Sequence, residues 1–181
     1  MLIREAVESD IPEIVDILNH DTSTNPSSWH IKLETLEMRQ EWFRTRQEGG
    51  YPILVAEGSD GRVMGYASCG QFRRYDAWQP VVEHSIYLHA DARGAGLGKA
   101  MLDALITATA EAGFAHMVAV IDGANEPSLR LHRSRGFTEI GRMDGVGKKP
   151  GEVLDAVFLL LELTAADAGN RESDDSAGLS M

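Results

Sequence analysis

The sequence predicts an α/β protein of the α+β kind, with a central mixed, mostly antiparallel sheet flanked by helices. Three observations predict it. Strand-like and helix-like apolar patterns alternate over residues 1–163. Ser59-Asp60-Gly61 joins two apolar runs, 51–57 and 62–70, as a hairpin turn does, since Asp-Gly readily supplies positive φ angles. Further on, an amphipathic helical pattern over 97–112 separates two apolar strands, 81–88 and 116–121, and that spacing requires a parallel crossover. Hairpins early and a crossover in the middle make the sheet mixed.

The elements follow in order. Residues 2–6 read as a short strand. Asp10, with Glu13 three residues later, has the spacing of a capping box, and Ile11, Ile14, Val15 and Leu18 then share one helical face to about His20. Pro12 is tolerated because it falls in the first turn. Residues 21–30 are turn-rich and read as a loop. Residues 35–48 read as a second helix carrying Leu36, Arg39, Trp42, Phe43 and Arg46, stopped by Gly49-Gly50. The two hairpin strands come next. A polar-aromatic loop, 71–80, leads into strand 81–88. Leu97, Met101, Leu105 and Ala108 form one stripe of the crossover helix. A buried strand at 116–121, a short helix at 126–135 and two closing strands, 137–143 and 154–163, complete the body. A Gly- and Lys-rich loop is expected between the closing strands.

Length and composition narrow the function. The 181 residues suit one domain, 1–163, followed by a small, acidic stretch, 164–181, with almost nothing to bury, which is expected to be disordered. Charges of 17 Lys+Arg against 28 Asp+Glu leave a net of -11, which argues against a nucleic-acid partner. The longest apolar runs are too short to span a membrane, and the first residues lack the apolar region of a signal peptide. A lone cysteine, Cys69, excludes an internal disulfide and a paired-cysteine metal site, and the expected compartment is the reducing cytoplasm. Cys69 sits mid-strand and reads as a small core residue. No metal-ligand spacing is present, so no metal is expected.

The segment Arg93-Gly94-Ala95-Gly96-Leu97-Gly98-Lys99 lies between a strand and an amphipathic helix. Glycines let the backbone approach a ligand closely, and a helix start offers unpaired N–H groups with a positive dipole end. Together they suit a diphosphate. A Walker A loop is excluded, because Ala100 follows Lys99 where a hydroxyl would hold magnesium. A dinucleotide fingerprint is excluded by its G-x-G-x-G spacing. The remaining pattern, R-G-x-G-[LIV]-G-[KR], is matched at every position. It resembles the diphosphate loop of the acetyl-CoA-dependent N-acetyltransferase (GNAT) superfamily.

Further pieces resemble the phosphinothricin and methionine sulfone/sulfoximine acetyltransferase group within it. They are Ile17-Leu18-Asn19-His20, the Tyr51-Pro52 strand, Gly65-Tyr66-Ala67-Ser68, Val82-Glu83-His84-Ser85, and Asn125 to Ser128 leading to Leu131-His132 and Gly136-Phe137. The resemblance covers about residues 1–163. It implies the GNAT fold, acetyl-CoA as cosubstrate, a homodimer, and a small amino-acid-like amine as acceptor. By position it implies main-chain pairing of Ile86, Tyr87 and Leu88 with the pantetheine arm. Arg93, Gly94, Ala95, Gly96, Leu97, Gly98 and Lys99 are then implied at the diphosphate, and Asn125 and Ser134 at the cofactor. It implies Glu83 as general base and places Asp76, Ala77 and Trp78 beside the acceptor. Where many relatives carry Tyr as general acid, this chain carries His132, which either protonates the CoA thiolate or packs.

The chemistry is consistent with these positions. Amide formation from a thioester needs a neutral amine, and a nearby carboxylate can take the proton. Glu83 either does so or is a solvated edge carboxylate. Strand alternation puts Val81, Glu83, Ser85 and Tyr87 on one face and Val82, His84, Ile86 and Leu88 on the other. Glu83 and His84 are therefore expected to share the site only across a bulge. The N–H near Leu88 suits an oxyanion. Without a covalent nucleophile, direct transfer in a ternary complex is expected. An acceptor carboxylate would need cations, for which Arg73 and Arg74 are candidates, with Tyr75 and Trp78 as walls; a solvated loop is the alternative. Trp29 either closes the pocket or packs in the core. Lys148 and Lys149 read as a charged turn more readily than as cofactor contacts. Two other functions stay open: acetylation of a polyamine or peptide terminus, and a non-catalytic acyl-CoA-binding module.

Overall fold

The computed structural model describes residues 1–94, 96–164 and 167. The expectations for Ala95 and for the last stretch beyond Thr164 and Asp167 lie outside the described residues. The described strands are β1 (Leu2–Glu5), β2 (Ile53–Glu57), β3 (Val63–Gln71), β4 (Val81–Leu88), β5 (His116–Asp122), β6 (Thr138–Lys149) and β7 (Glu152–Glu162). The longer helices are α1 (Ile11–Thr24), α2 (Leu36–Glu48), α3 (Leu97–Glu111) and α4 (Glu126–Arg133). The strands form one sheet in the order β1-β2-β3-β4-β5-β7-β6. Every neighbouring pair is antiparallel except β4 and β5, which α3 joins by the expected crossover.

Period-two alternation divides the core into two layers. On β2, Ile53 and Val55 pack with Ile11, Ile14, Ile17 and Leu18 of α1 and Phe43 of α2. Leu54 and Ala56 face the other way, into a cluster with Met101, Leu102 and Leu105 of α3. Those three α3 side chains are fully buried, and each contributes roughly 1.5–3 kcal/mol by leaving water. Cys69 faces the same layer as α3, where its thiol meets the Thr109 hydroxyl at 3.7 Å, as expected of a core residue.

Four expectations are corrected. The Asp10–Glu13 capping box does not form. Asp10 accepts from Val7 N at 2.8 Å and takes both Arg4 Nη atoms, while Glu13 accepts from Val63 N. Burial pushes the Asp10 carboxyl up, but the Arg4 and Val7 hydrogen bonds outweigh it and hold the group below its ordinary range. Helix α1 continues through the turn-rich Asp21–Thr24 segment, where Asp21 is buried and bridged to Arg93 and the Ser23 and Thr24 hydroxyls turn back onto the carbonyls of Asn19 and His20. The Gly- and Lys-rich segment is not a loop but the second half of β6, whose register shifts between Met143 and Gly147 as it pairs with β7. Lys149 is accordingly no turn charge: its Nζ donates to the carbonyls of Asn25 and Pro26, tying the α1–α2 connection to β6.

Candidate active site

Strands β4 and β5 pair only from Val81/His116 to Glu83/Val118 and then part. A cavity of about 710 Å³ opens in the gap. Its walls come from α2 (Arg39, Trp42, Arg46), β3 (Tyr66, Gly70), β4 (Glu83 to Tyr87), the C-terminal end of β5 and α4 (Ser128, His132). The α1–α2 connection closes one side with Trp29 and His30, held there by Ser27 Oγ donating to Asp122 at 2.7 Å and His30 bonding the Tyr87 hydroxyl at 3.1 Å. Buried polar side-chain atoms without a partner among the described residues gather here. Those of Ser28, Arg39, Arg46, Tyr66 and His84 all belong to lining residues. Buried polar groups are nearly always paired, so this lining is one built for a polar guest.

Glu83 and His84 both line this cavity, and no bulge brings them there: β3 and β4 stay in register from Gly65↔Leu88 to Gln71↔Val82. The parting of the strands does it instead. Glu83 reaches the cavity from the α2 face, and His84, on the α3 face, borders it because β5 no longer covers it. Burial pushes the Glu83 carboxyl up from its ordinary value, against the opposing pull of Arg73 and Arg46. That makes it a stronger base than a solvated carboxylate.

His84 and His132 stack with ring centroids 5.0 Å apart and Nε2 atoms 3.1 Å apart. His132 Nδ1 lies 2.7 Å from the Ser128 carbonyl oxygen, which can only accept, so Nδ1 carries the proton. In the neutral pair His132 Nε2 is therefore the acceptor and His84 Nε2 the donor. His84 Nδ1 is left as a buried lone pair without a partner among the described residues. Burial drives both imidazoles below their ordinary pKa, His84 furthest, with the neighbouring ring adding to the effect.

Groups with depressed folded pKa contribute stability above the unfolded value, about 6.5 for histidine, and lose it as pH falls through the folded value. The melting temperature is thus expected to drop as pH falls below 6.5. In His84→Gln, which keeps the N–H donor but cannot titrate, the drop becomes shallower. Equal pH dependence of the two proteins in a thermal-melt series would contradict the pairing.

Past Glu83 the β4 edge that faces the gap has no strand beside it, which leaves main-chain groups of Ile86, Tyr87 and Leu88 free to pair with an extended ligand. Beyond it, exposed Gly94 and Gly96 both adopt φ of 82°, a left-handed conformation open to glycine, and Gly96 caps the start of α3. Among the described residues, chain neighbours aside, no atom lies within 4 Å of where their Cβ atoms would be. An open cradle of helix-start N–H groups at the end of a free strand edge fits the pantetheine and diphosphate of acetyl-CoA. Lys99 is exposed on this loop, whereas Arg93 is bridged to Asp21 at 3.2 Å. Asn125 caps α4 by accepting from Ser128 N and also lines the cavity; Ser134 Oγ, exposed, donates to the Leu131 carbonyl.

The acceptor-side expectations divide. Arg73 and Trp29 line the cavity. Arg74, Tyr75, Asp76, Ala77 and Trp78 are exposed and lie outside its lining. Cys69 lies off the cavity too, and burial pushes its thiol up to about 11, which suits no nucleophile. Among the described residues no group of three His, Cys, Asp or Glu side chains is placed to hold a metal ion. Sequence reasoning missed the site roles of Arg39, Arg46 and His84. The available signal was in α2, where two arginines seven residues apart flank a tryptophan on the face that also carries Phe43.

The residues 13–137 match the model of the acetyltransferase (GNAT) family. The chain belongs to that family. This GNAT chain is 43% identical over 161 residues to the L-methionine sulfoximine/L-methionine sulfone acetyltransferase of Pseudomonas aeruginosa, covering 89% of itself and 94% of the relative. It superposes with a TM-score of 0.87 and 40% identity on the yncA protein of Salmonella typhimurium, solved with its cofactor acetyl-CoA, over 91% and 94% of the two chains. A phosphinothricin acetyltransferase from Sinorhizobium meliloti, in complex with acetyl-CoA, gives a TM-score of 0.86 at 36% identity over 90% and 88%. The acetyltransferase fold inferred from the loop and the mixed sheet is thus the one observed.

Proposed function

We propose that this acetyltransferase moves the acetyl group of acetyl-CoA onto the α-amino group of a small amino acid or analogue, of the methionine sulfone, methionine sulfoximine or phosphinothricin type. The observation that carries the proposal is the polar cavity at the parting of β4 and β5, with Glu83 at its edge and the free β4 edge leading from it to the glycine cradle. In the ternary complex the pantetheine arm pairs with Ile86, Tyr87 and Leu88, and Asn125 holds its inner end. Gly94, Ala95, Gly96, Leu97, Gly98 and Lys99 receive the diphosphate at the positive end of α3. Arg73, exposed at the mouth, attracts an anionic acceptor.

The acceptor sheds two protons between ammonium and amide. Glu83 takes the first and frees the lone pair, and nitrogen then bonds to the thioester carbon. The oxygen of the tetrahedral intermediate is held by main-chain N–H near Leu88. The second proton passes to the His84–His132 pair, whose open acceptor is His84 Nδ1, and from the pair to the CoA sulfur as the carbon–sulfur bond breaks. No covalent enzyme intermediate is involved.

A thiol-release assay tests the reading. Acetyl-CoA with methionine sulfone is expected to release CoA, while spermidine is not. CoA binding without release for any amino acid would leave only a binding module and overturn the proposal. A cytoplasmic homodimer completes it. The one cysteine is a buried free thiol, and the outer strand β6 leaves Ile140, Met143 and Val146 exposed, with Val153 on β7. An exposed apolar edge strand is a template for pairing with a second copy.

A further inference from the structure

Among the described residues two guanidiniums that line the cavity form no ion pair, Arg46 and the exposed Arg73. Arg39, the third arginine of the lining, is bridged to Glu34 at 2.6 Å. The Arg46 side chain, on the last turn of α2, makes no hydrogen bond or ion pair among the described residues, and its Nε is buried without a partner. Its polar surroundings are few. The Tyr51 ring lies 5.6 Å below it, Arg39 is a neighbouring like charge, and burial lowers its affinity for a proton. An unpaired guanidinium out of water is costly unless something supplies the missing charge.

Its position says what that something is. A Cβ built on Gly70 would fall within 1.6–2.4 Å of Arg46 Nη1, Cζ and Nη2, so the guanidinium fills the space that a side chain at 70 would take. Gly70 is the cross-strand partner of Glu83. Directly opposed residues on one sheet face hold their side chains about 5 Å apart. Arg46 thus stands beside the Glu83 carboxylate, close enough to pull its pKa down, yet they form no ion pair among the described residues. A negative group and a positive group separated by one cross-strand spacing mirror an α-amino acid, whose ammonium and carboxylate share one carbon.

We propose that Arg46 binds the α-carboxylate of the acceptor while Glu83 receives its α-amino group. The inference rests on the acceptor being an amino acid, as proposed above. The planar guanidinium holds a carboxylate through two parallel N–H bonds and sets its orientation. An amine without a carboxylate leaves Arg46 unpaired, and a polyamine sets a second cation against it, so the same residue rejects both. Arg73 is less suited to hold the carboxylate, because it is exposed, stacked 4.0 Å over Phe72, and donates to the Phe72 carbonyl. Glycine at position 70 belongs to the same device, since any side chain there displaces the guanidinium.

Steady-state kinetics with methionine sulfone and its carboxamide, in the wild type, Arg46→Gln, Arg46→Lys, Arg73→Gln and Gly70→Ala, test the assignment. In Arg46→Gln the ratio of kcat/KM for acid over amide is expected to fall about 10²-fold, mostly through KM of the acid. The amide changes by no more than a few fold, and calorimetric affinity for acetyl-CoA holds. Arg46→Lys restores part of the ratio, Gly70→Ala lowers it as Arg46→Gln does, and Arg73→Gln changes it less than either. A wild-type ratio retained in both Arg46→Gln and Gly70→Ala, with acetyl-CoA affinity intact, overturns the Arg46 assignment and leaves the proposed function standing. A wild-type enzyme that binds acetyl-CoA but acetylates no free amino acid overturns both.

Discussion

Replacing Glu83 with Gln is expected to lower kcat at neutral pH by about 10²–10³-fold, the range that a positioned general base contributes. The substitution keeps shape and hydrogen-bonding reach but removes the proton acceptor. Wild-type kcat/KM falls as pH drops through the Glu83 pKa, and because burial raises that pKa, the fall begins at higher pH than for an ordinary carboxylate. In the variant this acid limb disappears. Activity then climbs only as the free amine loses its own proton at higher pH. The stability sign is opposite. A carboxyl whose folded pKa is raised favours the fold while protonated, and that contribution is lost as pH rises through the folded value. Glu83→Gln never ionises, so its melting temperature at neutral pH is expected to equal or exceed the wild type's. Full activity of Glu83→Gln at neutral pH would remove the base assignment, and the melting temperature separates that result from misfolding.

Gly96→Val is expected to weaken acetyl-CoA binding on the order of 10²-fold. Gly96 holds φ of 82° at the start of α3. The left-handed conformation costs an ordinary residue about 1–2 kcal/mol, and a branched Cβ costs more. Chain neighbours aside, no atom of the described residues lies within 4 Å of the new Cβ, so among them only the backbone itself opposes its placement. The loop relieves the strain by turning, and the N–H groups at the helix start turn with it. Hydrogen bonds to a charged group are worth about 1.5–3 kcal/mol each, so losing one or two gives the stated factor. Calorimetric titration with acetyl-CoA measures it. The same affinity in Gly96→Val as in the wild type would place the diphosphate elsewhere. The two variants are distinguishable by design, since Glu83→Gln leaves coenzyme affinity intact while Gly96→Val lowers it.

Much of the fold was legible because its signals are short-range. Strand β4 spans Val81–Leu88 as its alternation predicted, and α2 and α3 lie within a residue of their predicted bounds. Where prediction failed, longer-range partners had competed. Asp10 and Glu13 have the spacing of a capping box, but Arg4 and the Val63 N–H claim them instead. Glycines 145 and 147 read as loop, yet pairing with β7 carries β6 through to Lys149. The glycine turn at the start of α3, where we place the diphosphate, was legible for the same reason as the helices: glycine spacing and a helix start are both local properties. Glu83 was legible through the resemblance of its strand to acetyltransferases.

Arg46 and His84 were not. The arginine lies on a helix, its glycine on β3 and the carboxylate it accompanies on β4; what unites them is cross-strand register, which no local spacing encodes. His84 was set aside because alternation turns it away from Glu83. It reaches the cavity because β5 leaves β4 just beyond that residue. Residue order and local spacing sufficed for the acetyltransferase fold and for the glycine loop proposed to hold its coenzyme, since turn chemistry and apolar periodicity act over a few residues. The cavity proposed for the acceptor came from packing across the sheet, because the side chains that line it are far apart along the chain and meet only when the strands pair and part.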